Sequence, residues 1–455
     1  QPDQLAPNND PIDDRVVPSC LSPTNQKVSN CGTLPFPAVL WEFTDSLNGS
    51  RLNEGQNTGD DAHDLGQTWS VPTIGRIKFK VGTDTVEKFV AIFGGGMDVK
   101  NKTTPKNGNW LYMVDIETGQ TIYKQPLEGS APSDVAALDV DLDGILDTLY
   151  IGTTKGLLYK VDLKTLVTLD TFTVTKDKFF PPLGADVQVP RITDNAWKPF
   201  KIFDTGGKPI YLAPTAFFVS RLDKFALAFG TGDRENLLDA TSNVAGRFYL
   251  IVDDGFTAAT SDLPKHEADY HQITPAGAQA GAGTDFVLHP EKDKQPGWFV
   301  TLAANEKVIT QAFGLSGIVI FSSFTPNDLP CANGGSSNIF VVFANNGDAV
   351  MTDISTGTGG VGGTPIRFRT VNSFVTSPYV EQGQTKNPPS GTGAVNSEDL
   401  DATQKAILKT LKQFYPKGTK FANYWISISG VRGDTGYERY ATIPVGIIER
   451  NWKEQ

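Results

Sequence analysis

Residues Thr148–Thr165 read TLYIGTTKGLLYKVDLKT. Two short runs of β-branched, aromatic and aliphatic residues flank a Thr-Thr-Lys-Gly turn, which predicts an antiparallel hairpin. The unit returns along the chain. FVAIFGGGMD (Phe89–Asp98) precedes NWLYMVDIETG (Asn109–Gly119), and FALAFGTGDR (Phe225–Arg234) precedes RFYLIVDDG (Arg247–Gly255) after an insertion. GIVIFSSF (Gly317–Phe324) precedes NIFVVFANNGD (Asn338–Asp348). The equivalent positions Gly94, Gly152, Gly230 and Ser322 lie 58, 78 and 92 residues apart, so each copy is one unit with loops of different length.

Short β-runs with Gly/Asp turns, returning as units of about 40 residues or more, form the pattern of propeller blades. Ring closure also accounts for so many short strands without exposed edges. The expected fold is therefore all-β: a β-propeller of about seven blades over residues 39–455, with loop insertions and one surface helix. A series of unrelated hairpins in a large sandwich is the alternative.

Composition agrees. The chain has 455 residues, 39% of them hydrophobic and 20% charged, enough for a sizeable core. The 27 Phe against 3 Met favour strands over helices. No apolar run is long enough for a transmembrane helix. The net charge of −11 opposes binding to a polyphosphate, so no nucleic-acid partner is expected.

Residues 1–38 are polar and Pro-rich, and read as an arm or linker. The Gln1-Pro-Asp-Gln start carries no visible signal peptide, and a processed chain or an excised fragment is expected. Cys20 and Cys31 form a local disulfide or stand as two free thiols; in the first case Cys331 is left over. Residues 353–363 and 383–397 are Gly-rich and read as loops. The predicted helix covers about 397–415, with Leu400, Ile407, Leu411 and Phe414 near one face and Pro416 at its end. Its Lys405, Lys409 and Lys412 read as a solvated face in preference to a docking surface.

The sharpest local signal is Asp139-Val-Asp141-Leu-Asp143-Gly144-Ile145-Leu-Asp147. Carboxylates at positions 1, 3, 5 and 9 of a tightly wrapped loop converge on one centre, and Gly at position 6 permits the sharp turn. Hard oxygen donors at this spacing suit Ca²⁺, with Ile145 supplying its backbone carbonyl. Position 12 is Tyr150 rather than a bidentate Glu, and a strand follows instead of a helix, so this is not a complete EF-hand. Asp147 must then close the site. Mg²⁺ fits less well because it keeps its waters, and a transition metal lacks His or Cys here. The competing reading is an empty Asp-rich turn.

Other candidates are weaker. Asp60-Asp61-Ala-His63-Asp64 reads as a solvated loop, and His266 with His271 as surface residues. Gly94-Gly95-Gly96 follows a strand without opening a helix, so it reads as a turn rather than a phosphate cradle. Arg432-Gly-Asp434 is a tripeptide that integrins read, and one that arises easily by chance in a turn. No G-x-S-x-G, H-E-x-x-H, C-x-x-C or Walker-type sequence occurs. No catalytic or organic-cofactor residues are assigned.

From Val39 to Asp348 the chain resembles the C-terminal domain of the PilY family, the tip-associated adhesins and biogenesis factors of type IV pili. The resemblance rests on VLWEFTD (Val39–Asp45), DLGQTWSVPTIGRI (Asp64–Ile77), FVAIFGGGMD, LYMVDIETG and the DVDLDGILDTLYIG loop and strand. It continues through LLYKVDL, APTAFFV with LAFGTGDREN, GWFVTLAANEKV (Gly297–Val308) and PCANGG (Pro330–Gly335). It implies a modified, quinoprotein-like propeller whose calcium loop matches Asp139, Asp141, Asp143, Ile145 and Asp147. It further implies an extracellular, pilus-tip or outer-membrane-associated location. The implied partners are minor pilins and the assembly machinery, with a host receptor or glycan as a further possibility. Ca²⁺ occupancy would then be linked to pilus extension, retraction, twitching motility and adhesion. A quinoprotein-like dehydrogenase and a lectin-like glycan-binding module are the competing functions. The dehydrogenase lacks an adjacent Cys pair and any evident quinone-contacting set.

Overall fold

The structure is a computed structural model. It describes residues 43, 64–101, 104–174, 187–219, 224–241, 244–273, 296–315, 317–327, 334–349, 351–353, 364–375, 379–382, 421–428 and 437–444. The three cysteines, the expected 397–415 helix and Arg432–Asp434 lie outside these residues. Among the described residues the only helical pieces are short 3₁₀ turns such as Asn195–Trp197.

Two compact units make up the chain: Gln1–Ala213 with Thr257–Pro264, and Pro214–Phe256 with Lys265–Gln455. The first unit opens with an antiparallel meander of β1 (Thr73–Val81), β2 (Asp84–Gly94), β3 (Trp110–Asp115) and β4 (Thr121–Pro126). Next come β5 (Ala136–Leu138), β6 (Thr148–Gly152), β7 (Leu157–Asp162) and, after the pair β8 (Asp170–Val174) and β9 (Val187–Arg191), β10 (Phe200–Asp204). In the second sheet the neighbours run β10-β7-β6-β5. The hairpin predicted from Thr148–Thr165 is β6–β7, with Leu149 opposite Val161 and Ile151 opposite Tyr159.

The second unit is likewise built of β-sheets. In one sheet β11 (Thr215–Val219), β12 (Lys224–Gly230) and β13 (Arg247–Asp253) are followed in space by β16 (Gly297–Thr301) and β15 (His271–Ile273), with β14 (Lys265–His266) preceding them in the chain. In the next, β17 (Lys307–Val308), β19 (Ile318–Pro326), β20 (Gly335–Phe343) and β23 (Phe368–Val371) are neighbours, and β18 (Phe313–Leu315) also pairs with β19. Shorter pairings follow, Met351–Asp353 with Thr364–Ile366, and Tyr379–Gln382 with Phe421–Ile428 and Tyr437–Pro444.

Inner strands are covered on both faces, so they read as continuous apolar runs instead of alternating ones; all five residues of β6 are buried. Their side chains join one core of the first unit that includes Ile77, Val90, Ile92, Met113, Leu149, Ile151, Val161 and Trp197. Each such side chain contributes about 1.5–3 kcal/mol through burial. In the second unit Phe248 stacks on Phe321 with ring centroids 3.6 Å apart, and Phe321 on Phe340 at 4.4 Å.

The repeated glycines now have a physical cause. Each ends its strand where a neighbouring segment comes close. A Cβ at Gly94 would meet the Ala131 carbonyl, one at Gly152 the Ile210 side chain, and one at Gly230 the Val308 side chain. Ser322, the fourth equivalent, is fully buried, and its N–H donates to Thr310 Oγ1 at 3.2 Å. A second repeat sits at the far end of the following strand. Asp115, Asp162 and Asp253 each turn a carboxylate oxygen onto an N–H two or three residues on, at 2.9–3.0 Å, which closes the next turn.

Candidate metal centre

The β5–β6 connection is the loop 139–147, pinched at its base by Asp147 N–H donating to Leu138 O at 2.8 Å. Asp147 O in turn accepts from Leu163 N at 2.7 Å, which fixes the loop exit to the end of β7. The acidic side chains then wind the backbone around themselves. Val140 N–H donates to Asp147 Oδ2 at 2.7 Å, and Gly144 N–H to Asp139 Oδ2 at 2.7 Å. Asp143 N–H donates to Asp141 Oδ1 at 3.3 Å, and Ile145 N–H to Asp143 Oδ1 at 2.7 Å. So tight a wrap needs left-handed backbone at two positions, Leu142 (φ 62°) and Gly144 (φ 84°). Glycine takes that conformation without steric cost; leucine pays roughly 1–3 kcal/mol.

The result brings one carboxylate oxygen from each of Asp139, Asp141 and Asp147 within 4.8 Å of the others. Asp139 Oδ1 is buried and has no hydrogen-bond partner. Three hard anionic oxygens at this separation fit a cation of the Ca²⁺ type and no soft metal. Their mutual repulsion is about 1 kcal/mol per pair even in water-like surroundings, which a dication would reverse.

Of the residues singled out in the sequence, Asp139, Asp141 and Asp147 therefore converge. Asp143 stands outside the trio, exposed, with Oδ1 engaged by Ile145 N–H. Ile145 is half-buried at the loop's return. Two residues that the pattern does not announce also belong here. Arg76 of β1 donates from Nε to Gly144 O at 3.2 Å, and its Nη1 lies 3.1 Å from Glu87 Oε2. They lie 63 and 52 residues upstream of Asp139, where the loop begins, and no local spacing could have found them.

The remaining candidates resolve differently. Asp64 is not part of a solvated loop: it is buried and ion-paired with Lys124, whose ammonium lies 4.4 Å from the Trp110 ring centroid. Residues 60–63 lie outside the described residues. His266 is exposed and His271 half-buried, and among the described residues no second acidic, His or Cys cluster forms. Gly95 and Gly96 face backbone: a Cβ at Gly95 would lie 3.1 Å from Gly108 O, and one at Gly96 would meet the Gln67 carbonyl. Close chain packing is their role.

Strand meanders with an acidic loop on one hairpin define a β-propeller with a candidate cation site. The family model for the PilY1 beta-propeller domain matches residues 32–266, just over half of the chain. The chain belongs to that family, as the resemblance implied. A type IV pilus biogenesis factor PilY1 homolog from Xylella fastidiosa is 25% identical over 355 residues, covering 72% of this chain and 21% of that protein. The type IV pilus biogenesis factor PilY1 of Pseudomonas aeruginosa is 23% identical over 310 residues, covering 61% and 25%. The chain thus spans about a fifth to a quarter of the length of these relatives. The crystal structure of the Pseudomonas aeruginosa PilY1 C-terminal domain covers 71% of each chain at 16% identity, with a TM-score of 0.47. Both curated relatives are named as biogenesis factors rather than enzymes. Among the described residues no helix is long and apolar enough to cross a membrane.

Proposed function

We propose that this chain is the calcium-binding propeller of a type IV pilus biogenesis protein, acting at the cell surface without catalysis of its own. Its partners are the minor pilins and the assembly machinery, and ion occupancy of the 139–147 loop adjusts pilus extension and retraction, twitching motility and adhesion. The observation that carries the ion is the convergence of Asp139, Asp141 and Asp147, with Asp139 Oδ1 buried and unpartnered. Family membership supports the pilus.

A ligand moves an equilibrium only by its different affinity for the two states. Here the difference is built in: the wrapped loop gathers three carboxylates, and an opened loop disperses them. Ion binding therefore favours the wrapped form. The test places Asp147→Ala in the full-length gene and counts surface pili and twitching. Altered piliation supports the regulatory reading. Normal piliation with Ca²⁺ binding lost would leave the ion a structural role only.

A further inference from the structure

The acidic loop does not stand alone on its hairpin. Within the first unit it is docked on β1, the edge strand of the first sheet. Leu146 N–H donates to Arg76 O at 2.8 Å, while Arg76 Nε returns a bond to Gly144 O at 3.2 Å. The Leu146 side chain fills the space over Gly75, where any Cβ would collide with it. The Arg76 guanidinium then reaches Glu87 of β2 at 3.1 Å, and Glu87 also lies 3.7 Å from Lys78. Further along the same edge, Lys80 N–H donates to Val167 O at 2.8 Å and Leu169 N–H to Lys80 O at 2.7 Å. The open edge of the first sheet is thus closed by connecting segments of the second, and the acidic loop supplies one end of that closure.

We propose that Arg76 is the positioning residue that clasps the acidic loop to β1, so that cation occupancy of the loop also orders the edge of the first sheet. The proposal rests on the calcium reading above and names the element through which that ion would act. Opening the loop removes the Gly144 carbonyl from Arg76 and the Leu146 N–H from the Arg76 carbonyl together. An ion that binds only the wrapped loop must then oppose opening of the edge as well. Arginine suits the position because its planar fork holds a carbonyl at Nε and a carboxylate at Nη1 in fixed directions, where a lysine offers one compact ammonium on a flexible stem. The edge so controlled is not inert surface. Arg76 lies directly opposite Phe89 in the β1–β2 register, and Ile74 and Phe89 are each 58% exposed.

Hydrogen exchange on the full 455-residue chain, with and without Ca²⁺, tests this beside calorimetric titration of the same samples. In the wild type, Ca²⁺ should slow exchange in both 139–147 and 73–81. Arg76→Ala supplies no ion ligand and removes one carbonyl contact, so its Ca²⁺ affinity should stay within about tenfold of wild type. It should keep the slowing in 139–147 and lose at least half of it in 73–81. Arg76→Lys should fall between. Glu87→Gln, which removes the charge that anchors the guanidinium without altering the loop's own sequence, should weaken the coupling in the same direction. Equal slowing of 73–81 in the wild type and both Arg76→Ala and Glu87→Gln overturns the clasp, as does a wild type that binds Ca²⁺ but protects only 139–147. Absence of Ca²⁺ binding by the wild type would instead overturn the calcium reading, and the clasp with it.

Discussion

Asp139 and Gly144 meet across the turn of the acidic loop, where Asp139 Oδ2 accepts the Gly144 N–H at 2.7 Å. The other oxygen, Oδ1, is left buried and unpartnered, on a residue that brings a carboxylate oxygen within 4.8 Å of those of Asp141 and Asp147. One residue thus shapes the loop with one oxygen and leaves the second without a partner. A buried polar atom without a partner costs about 1–3 kcal/mol, and an ion would remove that cost.

Gly144→Ala tests the shaping half. At φ 84° an alanine is strained, and its Cβ would come 2.6 Å from Arg76 Nη2. The substitution should destabilise the wrapped loop by about 1 kcal/mol, which corresponds to roughly a fivefold loss of Ca²⁺ affinity. Far-UV circular dichroism should not change, because the core lies elsewhere. Titration of the variant beside the wild type measures the difference.

The buried Asp64–Lys124 pair is a second load on the first unit, independent of the ion. Lys124 lies over Trp110 and also 5.6 Å from the Tyr112 centroid, in an apolar setting that leaves no room for an unpaired charge. Asp64→Leu should lower unfolding free energy by about 3–5 kcal/mol in urea denaturation. The double change with Lys124→Met should recover most of that loss, since it removes both charges. A double variant no better than the single one would contradict this.

Asp98 gives a pH signature. Burial would push its carboxyl up, but N–H donation from Lys106, the Asn101 side chain and the backbone of Asn101 and Lys100 outweighs burial and holds it below the usual 3.8. A depressed folded value means the stabilisation is fully present above the unfolded value and is lost as pH falls through the folded one. The stability advantage of wild type over Asp98→Asn should therefore be constant above about pH 5 and shrink progressively below about pH 4. Urea midpoints measured across that range decide it.

Much of this was legible in the chain. The hairpin β6–β7 and the glycine ends at Gly94, Gly152 and Gly230 follow from local composition, because strand pairing between neighbours in sequence leaves a local mark. The acidic loop was legible for the same reason: its wrap is made by residues within nine positions of one another. The burial of Asp64 is not legible in the chain because its partner is 60 residues away, and nothing in a run of acidic residues reveals a lysine waiting under a tryptophan. The role of Arg76 is hidden likewise, since its contact with Gly144 spans 68 residues and exists only once two sheets lie side by side.

The ion itself remains the point on which the functional reading turns, and calorimetric titration of the metal-stripped chain with Ca²⁺ addresses it. Wild type should bind one Ca²⁺ in the 139–147 loop, and Asp139→Ala and Asp147→Ala should each weaken that binding by about a hundredfold or more with circular dichroism unchanged. Unaltered affinity in both variants, or no binding by the wild type, would contradict it.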